Sequence, residues 1–350
     1  MKAPLPIRYP APLARGDRIA VTAPSSGVEP ALHVRLDLVL EHLRAQGFVV
    51  EEGRCLRDQA HSASAPAAAR AAELMQLLQR EDVAAIIPPW GGELAVQLLD
   101  RLDWPALARA RPKWLMGFSD TSTWLAPITL RLGWATAHGS GLMDLVPAQT
   151  DPLTRGAMAV LSTPVGGQVV QRQSSHWQLK WGDFAKEPAC AYQLTEPTVW
   201  RALDGAAAAQ FSGRLIGGCL DTLMHTAGTA HGDVAAFIAA HAEVGTILYL
   251  ENSGLSPTDW VRALHRLRWA GWLDGLAGVM VGRSSAPDTT GATELRYEQA
   301  LTNTLGDLPC PVLVEVDIGH RPPQMVLING ARATVSWSSD EGGRVVQQLE

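Results

Sequence analysis

Long apolar runs are missing from this 350-residue chain. No stretch approaches the roughly 18–20 apolar residues that cross a bilayer. The start, Met1-Lys2-Ala3-Pro4-Leu5-Pro6, is broken by prolines where a signal peptide would need an apolar core. Cysteine is scarce: four residues, at 55, 190, 219 and 310, with no C-x-x-C pair. That spacing excludes a zinc ribbon and a disulfide-stapled secreted domain; it fits reduced thiols in the cytoplasm, read as small core hydrophobes. A basic excess is lacking too. With 29 Lys+Arg against 35 Asp+Glu the net charge is −6, which leaves no electrostatic footprint for a nucleic-acid polymer. The ten histidines are scattered and form no H-E-x-x-H, so no metal site is expected, and nothing points to an organic cofactor. Tyr and Phe are few, 4 and 5, yet Trp reaches 12.

What is present is a composition 47% hydrophobic and 18% charged, enough to bury a sizeable core, at a length that suggests two domains. Through the first half, short apolar runs at 17–23, 48–50, 83–87 and 114–116 alternate with helical patterns at 30–46, 65–79, 93–102 and 121–132. Glycines or prolines punctuate most of the changes. This alternation predicts an α/β fold with a mostly parallel, doubly wound sheet. From 163 to 212 the pattern dissolves into a polar stretch carrying Trp177, Trp181 and Trp200. It is predicted to be a long loop at a domain junction, of the kind that is often a functional lid. Alternation then resumes, with strands at 246–250, 276–281 and 311–316 and helices at 257–272 and 293–305. Asn329-Gly330 between apolar runs predicts a closing β-hairpin. The expected organisation is therefore 1–165, a junction at 166–212, and a second, smaller α/β domain at 213–350.

In doubly wound sheets, sites form at the carboxyl ends of strands. Three such ends carry reactive side chains. In Met116-Gly117-Phe118-Ser119-Asp120-Thr121 a strand stops, glycine permits a tight turn, and a serine precedes a helix. That is the layout of a nucleophile elbow, although the motif is G-x-S-x-T rather than G-x-S-x-G. The same serine could equally be a plain helix N-cap. Glu251 follows the apolar run 246–250, and His320 follows Gly319 after the run 311–316. A buried carboxylate needs a polar partner, and the order Ser…Glu…His matches that of a hydrolytic triad. The Gly91-Gly92 pair opens a helix after a strand, where free amides can face an oxyanion, but it is also simply a good turn.

Taken together, Thr22-Ala23-Pro24-Ser25-Ser26, Arg70, Trp90-Gly91-Gly92, the 112–120 segment, Ala137-His138-Gly139, the 213–218 GRLIGG, Leu250-Glu251 and Gly319-His320 resemble the LD-carboxypeptidase family of serine peptidases. The markers fall in the family's order over about residues 12 to 335. The resemblance implies an N-terminal domain like the class I glutamine amidotransferases, a smaller C-terminal α/β domain, and a homodimer. It assigns the nucleophile to Ser119, the acid to Glu251 and the base to His320. It draws the oxyanion-hole amides from Asp120 and the glycine pair, where Gly92 is favoured and Gly91 takes a substrate-contacting place. His138 ranks second to His320 as the base. Arg70 is expected to anchor its helix by a salt bridge. Arg283 and Ser284-Ser285, after the strand at 276–281, either touch substrate or form a surface turn.

Two branches of the family bear on the substrate. One trims D-alanine from murein tetrapeptides; the other resembles the microcin C self-immunity peptidases, which detach the aminoacyl part of an aminoacyl-nucleotide. The extra length at 163–212, with Trp177 and Trp181 available to stack on a nucleobase, and the 217–223 segment favour the second. One departure stands out: Cys219 occupies a position where the family pattern carries asparagine. A small peptide or aminoacyl-nucleotide is therefore the expected partner, with no membrane involved. The reading from another class is a catalytically silent relative that holds the same ligand, and intact Ser119, Glu251 and His320 argue against it. Most of the tryptophans, Trp260, Trp269 and Trp272 among them, read as core.

Overall fold

A computed structural model describes residues 5–350. The first sheet has six strands, in the spatial order Leu327–Asn329, Thr136–His138, Trp114–Gly117, Val83–Ile86, Arg18–Val21 and Val49–Glu52. The five strands from the first half are parallel and, numbered along the chain, run 2-1-3-4-5. That is a doubly wound order whose direction of winding reverses between Arg18–Val21 and Val83–Ile86, and ligands bind outside the carboxyl ends at such a switch point. The loops leaving these strands carry Ser25-Ser26, Gly91-Gly92 and Ser119 to one side of the sheet.

The second sheet has eight strands. Its parallel centre consists of Ala208–Cys219, Thr246–Glu251, Gly278–Gly282 and Val312–Val316. Antiparallel strands flank it: Arg332–Ser338, Gly342–Gln348 and Gln168–Arg172 on one side, and Arg201–Ala202 on the other. The mixed α/β architecture with a terminal hairpin is the one the sequence predicts. Helix Ser122–Leu132 is buried on nearly every face. A helix apolar all round belongs between layers, and this one joins the two halves: Ser122 Oγ accepts a hydrogen bond from the Cys219 amide at 3.0 Å. Helix Pro257–Trp269 shows the usual surface logic. Ser256 caps it by accepting from Asp259 N at 3.2 Å, and Trp260, Ala263, Leu264 and Leu267 turn inward. Each large side chain buried in this way contributes about 1.5–3 kcal/mol.

The structure departs from four expectations. The 163–212 stretch is not one aperiodic loop. Gln168–Arg172 alternates exposed and buried positions as an edge strand, His176–Trp177 pairs with Glu196–Pro197, and Ala208–Cys219 is the longest strand of the chain. Polar residues on the solvent side of an edge strand dilute its apolar character without breaking its period of two. The hairpin lies one turn later than expected, between Arg332–Ser338 and Gly342–Gln348. At Asn329-Gly330 the chain instead crosses from one sheet to the other, because Leu327–Asn329 pairs with Thr136–His138. Trp269 is 82% exposed rather than core. Arg70 is buried but forms no salt bridge among the described residues; its guanidinium donates to the Ala65, Pro24 and Leu94 carbonyls and to Gln97 Oε1. Among the described residues no helix is long and apolar enough to cross a membrane.

Candidate active site

Strand Trp114–Gly117 is fully buried and delivers Ser119 to the sheet's carboxyl edge. There Ser119 adopts φ 60°, in the left-handed region that costs an L-residue free energy and is held only by its surroundings. Its hydroxyl caps no helix. The following helix starts at Ser122, and neither Phe118 nor Thr121, the residues at the two helix starts, makes a side-chain cap bond. The N-cap alternative thus falls away, and the strained elbow is what remains.

The residues around Ser119 explain that conformation. Asp120 is buried and its carboxylate is saturated: it accepts from Ser25 Oγ at 2.6 Å, Ala95 N at 2.8 Å and Thr123 Oγ1 at 2.8 Å. These bonds fix the first turn after the elbow against the segments that follow strands Arg18–Val21 and Val83–Ile86. Gly91 packs on the elbow itself. A Cβ there would lie 2.6 Å from Ser119 Cβ, 2.7 Å from Asp120 N and 2.9 Å from Ser119 Oγ. Gly92, at φ 141°, instead abuts Ser25 and Ser26. Among the described residues the Gly92 and Asp120 amides donate to no intramolecular acceptor. Free, fixed N–H groups beside a hydroxyl are what an oxyanion site needs.

The acid and the histidine come from the second sheet. Glu251 ends its strand fully buried, in register with Cys219. Its Oε2 accepts from His320 Nδ1 at 2.8 Å, while Oε1 has no partner among the described residues. Gly319, at φ 92°, lets the histidine loop approach, since any side chain there would collide with the Glu251 carboxylate. Burial disfavours ionisation of both partners, yet their mutual attraction and hydrogen bond outweigh it. Glu251 sits below its ordinary range and His320 above, with Asp221 and Asp144 adding to the histidine's shift. The His320 ring meets Phe118 edge-on at 4.9 Å between centroids, which places it beside the elbow. No hydrogen bond joins Ser119 to His320 among the described residues; such contacts often tighten only when substrate is bound.

A cavity of about 140 Å³ opens between the halves, with Gly92, Ser119, Asp120 and Thr123 on one wall and Cys219, Asp221, Thr222 and Ser253 on the other. A larger cavity of about 760 Å³ lies beside helix Pro152–Arg155 and strand Gln168–Arg172 and includes none of these residues. The smaller one is the candidate site, because Ser119, Gly92 and Asp120 line it. Cys219, at the position where asparagine is expected, is buried there. Its thiol lies 3.6 Å from Asp221 Oδ2, and burial, reinforced by the Glu251 and Asp221 charges, pushes its pKa well up. It is a neutral thiol.

His138 is buried between the sheets. Its Nδ1 lies 3.4 Å from Ser122 Oγ, its Nε2 is unpartnered among the described residues, and burial pushes its pKa down to about 4. It stays neutral and contacts no member of the Ser119 elbow through a hydrogen bond. Trp177 and Trp181 do not line the small cavity. Trp177 is half-buried, 5.7 Å from the Arg321 guanidinium, and Trp181 is exposed against Phe184 and Tyr192. Two acids escaped the sequence reading. Asp144 is buried beside the histidine loop, with its pKa pushed up to about 6 by that burial. Asp317 forms a buried salt bridge with Arg283 at 2.8 Å, so Arg283 is neither a surface turn residue nor free to meet substrate. A strand end three residues before a histidine was the available signal for Asp317; Asp144 had none.

Sequence profiles of the LD-carboxypeptidase N-terminal and C-terminal domains match residues 19–139 and 212–335. The microcin C7 self-immunity protein MccF of Escherichia coli is 26% identical over 336 residues, covering 94% of this chain and 93% of its own. The probable murein peptide carboxypeptidase of Bacillus subtilis is 26% identical over 96% of this chain and 94% of its own. A solved structure of MccF in complex with glutamyl sulfamoyl guanosine superposes with a TM-score of 0.82 at 23% identity, covering 99% of both chains.

Proposed function

The chain belongs to the LD-carboxypeptidase family, a peptidase family, and from that premise we propose that it is a serine carboxypeptidase acting on a small aminoacyl-nucleotide. The observation that carries the reading is the 2.8 Å contact between His320 Nδ1 and Glu251 Oε2 beside a serine held at φ 60°. His320 Nε2 takes the Ser119 proton as Oγ attacks the carbonyl carbon. Glu251 keeps the imidazole in the tautomer that leaves Nε2 free, and stabilises the imidazolium once it forms. The amides of Gly92 and Asp120 receive the oxyanion. Collapse of the tetrahedral intermediate breaks the amide bond, His320 returns the proton to the leaving nitrogen, and water then releases the acyl group by the same route. Because Ser119 stands on one half and Glu251 and His320 on the other, the rate depends on how the halves are held.

Kinship with MccF supports the nucleotide branch, and so does the ligand in the MccF structure, an aminoacyl group joined to a nucleoside through a sulfamoyl link. Trp177 and Trp181 are the residues offered for base stacking, on the segment that runs past the histidine loop; Gly91 borders the acyl site. The murein reading, release of terminal D-alanine from a tetrapeptide, draws on equal identity to the Bacillus subtilis relative. One assay separates the two: murein tetrapeptide and an aminoacyl sulfamoyl adenosine offered side by side to wild type and Ser119→Ala. Cleavage of the nucleoside conjugate by wild type alone is the expected result. Turnover of the tetrapeptide alone would assign the chain to cell-wall recycling.

A further inference from the structure

Three residues before His320 stands a carboxylate that the triad chemistry does not use. Asp317 is fully buried and gathers four donors: Arg283 Nη1 at 2.8 Å, Trp200 Nε1 at 2.9 Å, and Ser174 through Oγ at 2.5 Å and its amide at 3.0 Å. Arg283, also buried, directs the rest of its guanidinium to the Arg321 carbonyl at 2.8 Å and the Pro323 carbonyl at 2.9 Å. One side-chain pair therefore ties the 317–323 loop across its base, and His320 sits in the middle of that loop.

The same carboxylate reaches into the junction. Ser174 follows edge strand Gln168–Arg172, and Trp200 precedes Arg201–Ala202. Farther along, Gln178 N donates to the Pro322 carbonyl at 2.8 Å, the Arg321 guanidinium donates to the Leu179 carbonyl, and the Trp177 ring lies 5.9 Å from Arg283 and 5.7 Å from Arg321. Junction and histidine loop form one hydrogen-bonded unit with Asp317 at its centre. A buried ion pair of this kind is a poor source of stability compared with apolar packing. What four donors from three separate segments do determine is relative placement.

We propose that Asp317 is a positioning residue which, with Arg283, holds the His320 loop against the junction, so that the imidazole meets Glu251 and faces Ser119 only while the junction is seated. This rests on the triad reading above. The functional consequence is that a substrate contacting residues 174–181 acts directly on the placement of the base.

The test is the pH-dependent rate at which a fluorophosphonate probe labels Ser119 in the full chain, compared among wild type, Asp317→Asn, Ser174→Ala and Trp200→Phe. The charged and titratable groups around His320 are Glu251, Asp221, Asp144 and His138, with Arg321 next in sequence, and none is altered in these variants. Folding is checked by circular dichroism. Displacing a catalytic group by about 1 Å costs roughly 10²-fold, so Asp317→Asn should label about 10²-fold more slowly. Its rising limb should also move down towards the ordinary histidine value of ~6.5, because a loosened loop weakens the Glu251 contact. Ser174→Ala and Trp200→Phe should shift in the same direction, by less. A folded Asp317→Asn with wild-type rate, or a slower one with an unmoved midpoint, overturns the proposal. Should Asp317→Asn fail to fold, wild-type rate and midpoint in both milder variants overturn it equally. Ser119→Ala and His320→Ala are the controls: normal labelling in either would bring down the triad reading itself.

Discussion

Replacing Gly91 with alanine adds one methyl group at the most crowded point of the cleft. The new Cβ would stand 2.6 Å from Ser119 Cβ, 2.7 Å from Asp120 N and 2.9 Å from Ser119 Oγ. Ordinary carbon contacts are about 3.5–4.0 Å, so at the 2.6 Å contact with Ser119 Cβ the elbow or the glycine loop must give by roughly 0.9–1.4 Å. The elbow has little freedom, since Asp120 is held by three hydrogen bonds and Ser119 already sits at φ 60°. The methyl would also cover the Asp120 amide. Loss of one oxyanion donor costs about 10²–10³-fold in kcat, or about 2.7–4 kcal/mol of transition-state stabilisation, and nucleophile displacement adds to that. Gly91 has no positive φ to relieve, so backbone strain contributes nothing to the loss. Gly166→Ala is the contrasting control: its Cβ meets nothing within 4 Å but its φ of 83° strains an alanine, so it should lower stability in urea and leave kcat unchanged. The assay is steady-state cleavage of the aminoacyl sulfamoyl adenosine alongside urea unfolding. A Gly91→Ala enzyme with kcat within a few-fold of wild type would refute this placement of the oxyanion site.

Because the base must be neutral, kcat/KM should rise as pH rises through the His320 pKa, with a midpoint above the ordinary ~6.5; a midpoint below that value contradicts the Glu251 contact. Glu251→Gln keeps the volume but removes the charge that raises His320 while burial still lowers it. The rising limb should move to lower pH and kcat should fall by about 10⁴-fold, the size of a tautomer error, both read from a pH–rate profile. His320→Ala should abolish turnover while His138→Ala, at a neutral buried position, retains most of it; the reverse pattern would exchange their roles. Trp177→Ala with Trp181→Ala should raise KM for nucleoside-bearing substrates by more than it slows fluorophosphonate labelling of Ser119, and unchanged KM would return both residues to packing.

The strands of the first half were legible because their apolar runs are short and interrupted by glycine, proline or charged residues. The runs at 17–23, 83–87 and 114–116 become the strands Arg18–Val21, Val83–Ile86 and Trp114–Gly117. What stayed hidden depended on partners distant in sequence. Gln171 and Gln173 look like loop residues, yet Gln171 Nε2 donates to the Val326 carbonyl at 2.8 Å and Gln173 Nε2 to the Thr198 carbonyl at 2.9 Å, inside an edge-strand scaffold. Asn329-Gly330 carries hairpin chemistry, but the strands on either side pair in different sheets, which no local signal encodes. The tryptophan excess resolves similarly. Trp114, Trp124, Trp134, Trp200, Trp260 and Trp272 are fully buried. Trp200 can be buried because its indole N–H donates to Asp317, 117 positions away.

Activation of Ser119 by His320 is tested most directly by fluorophosphonate labelling of the intact protein followed by peptide mass mapping. Wild type should carry one adduct on Ser119, absent from Ser119→Ala and formed far more slowly in His320→Ala. A folded wild-type protein left unlabelled while a known serine hydrolase in the same tube reacts, or an adduct on any other residue, would contradict it.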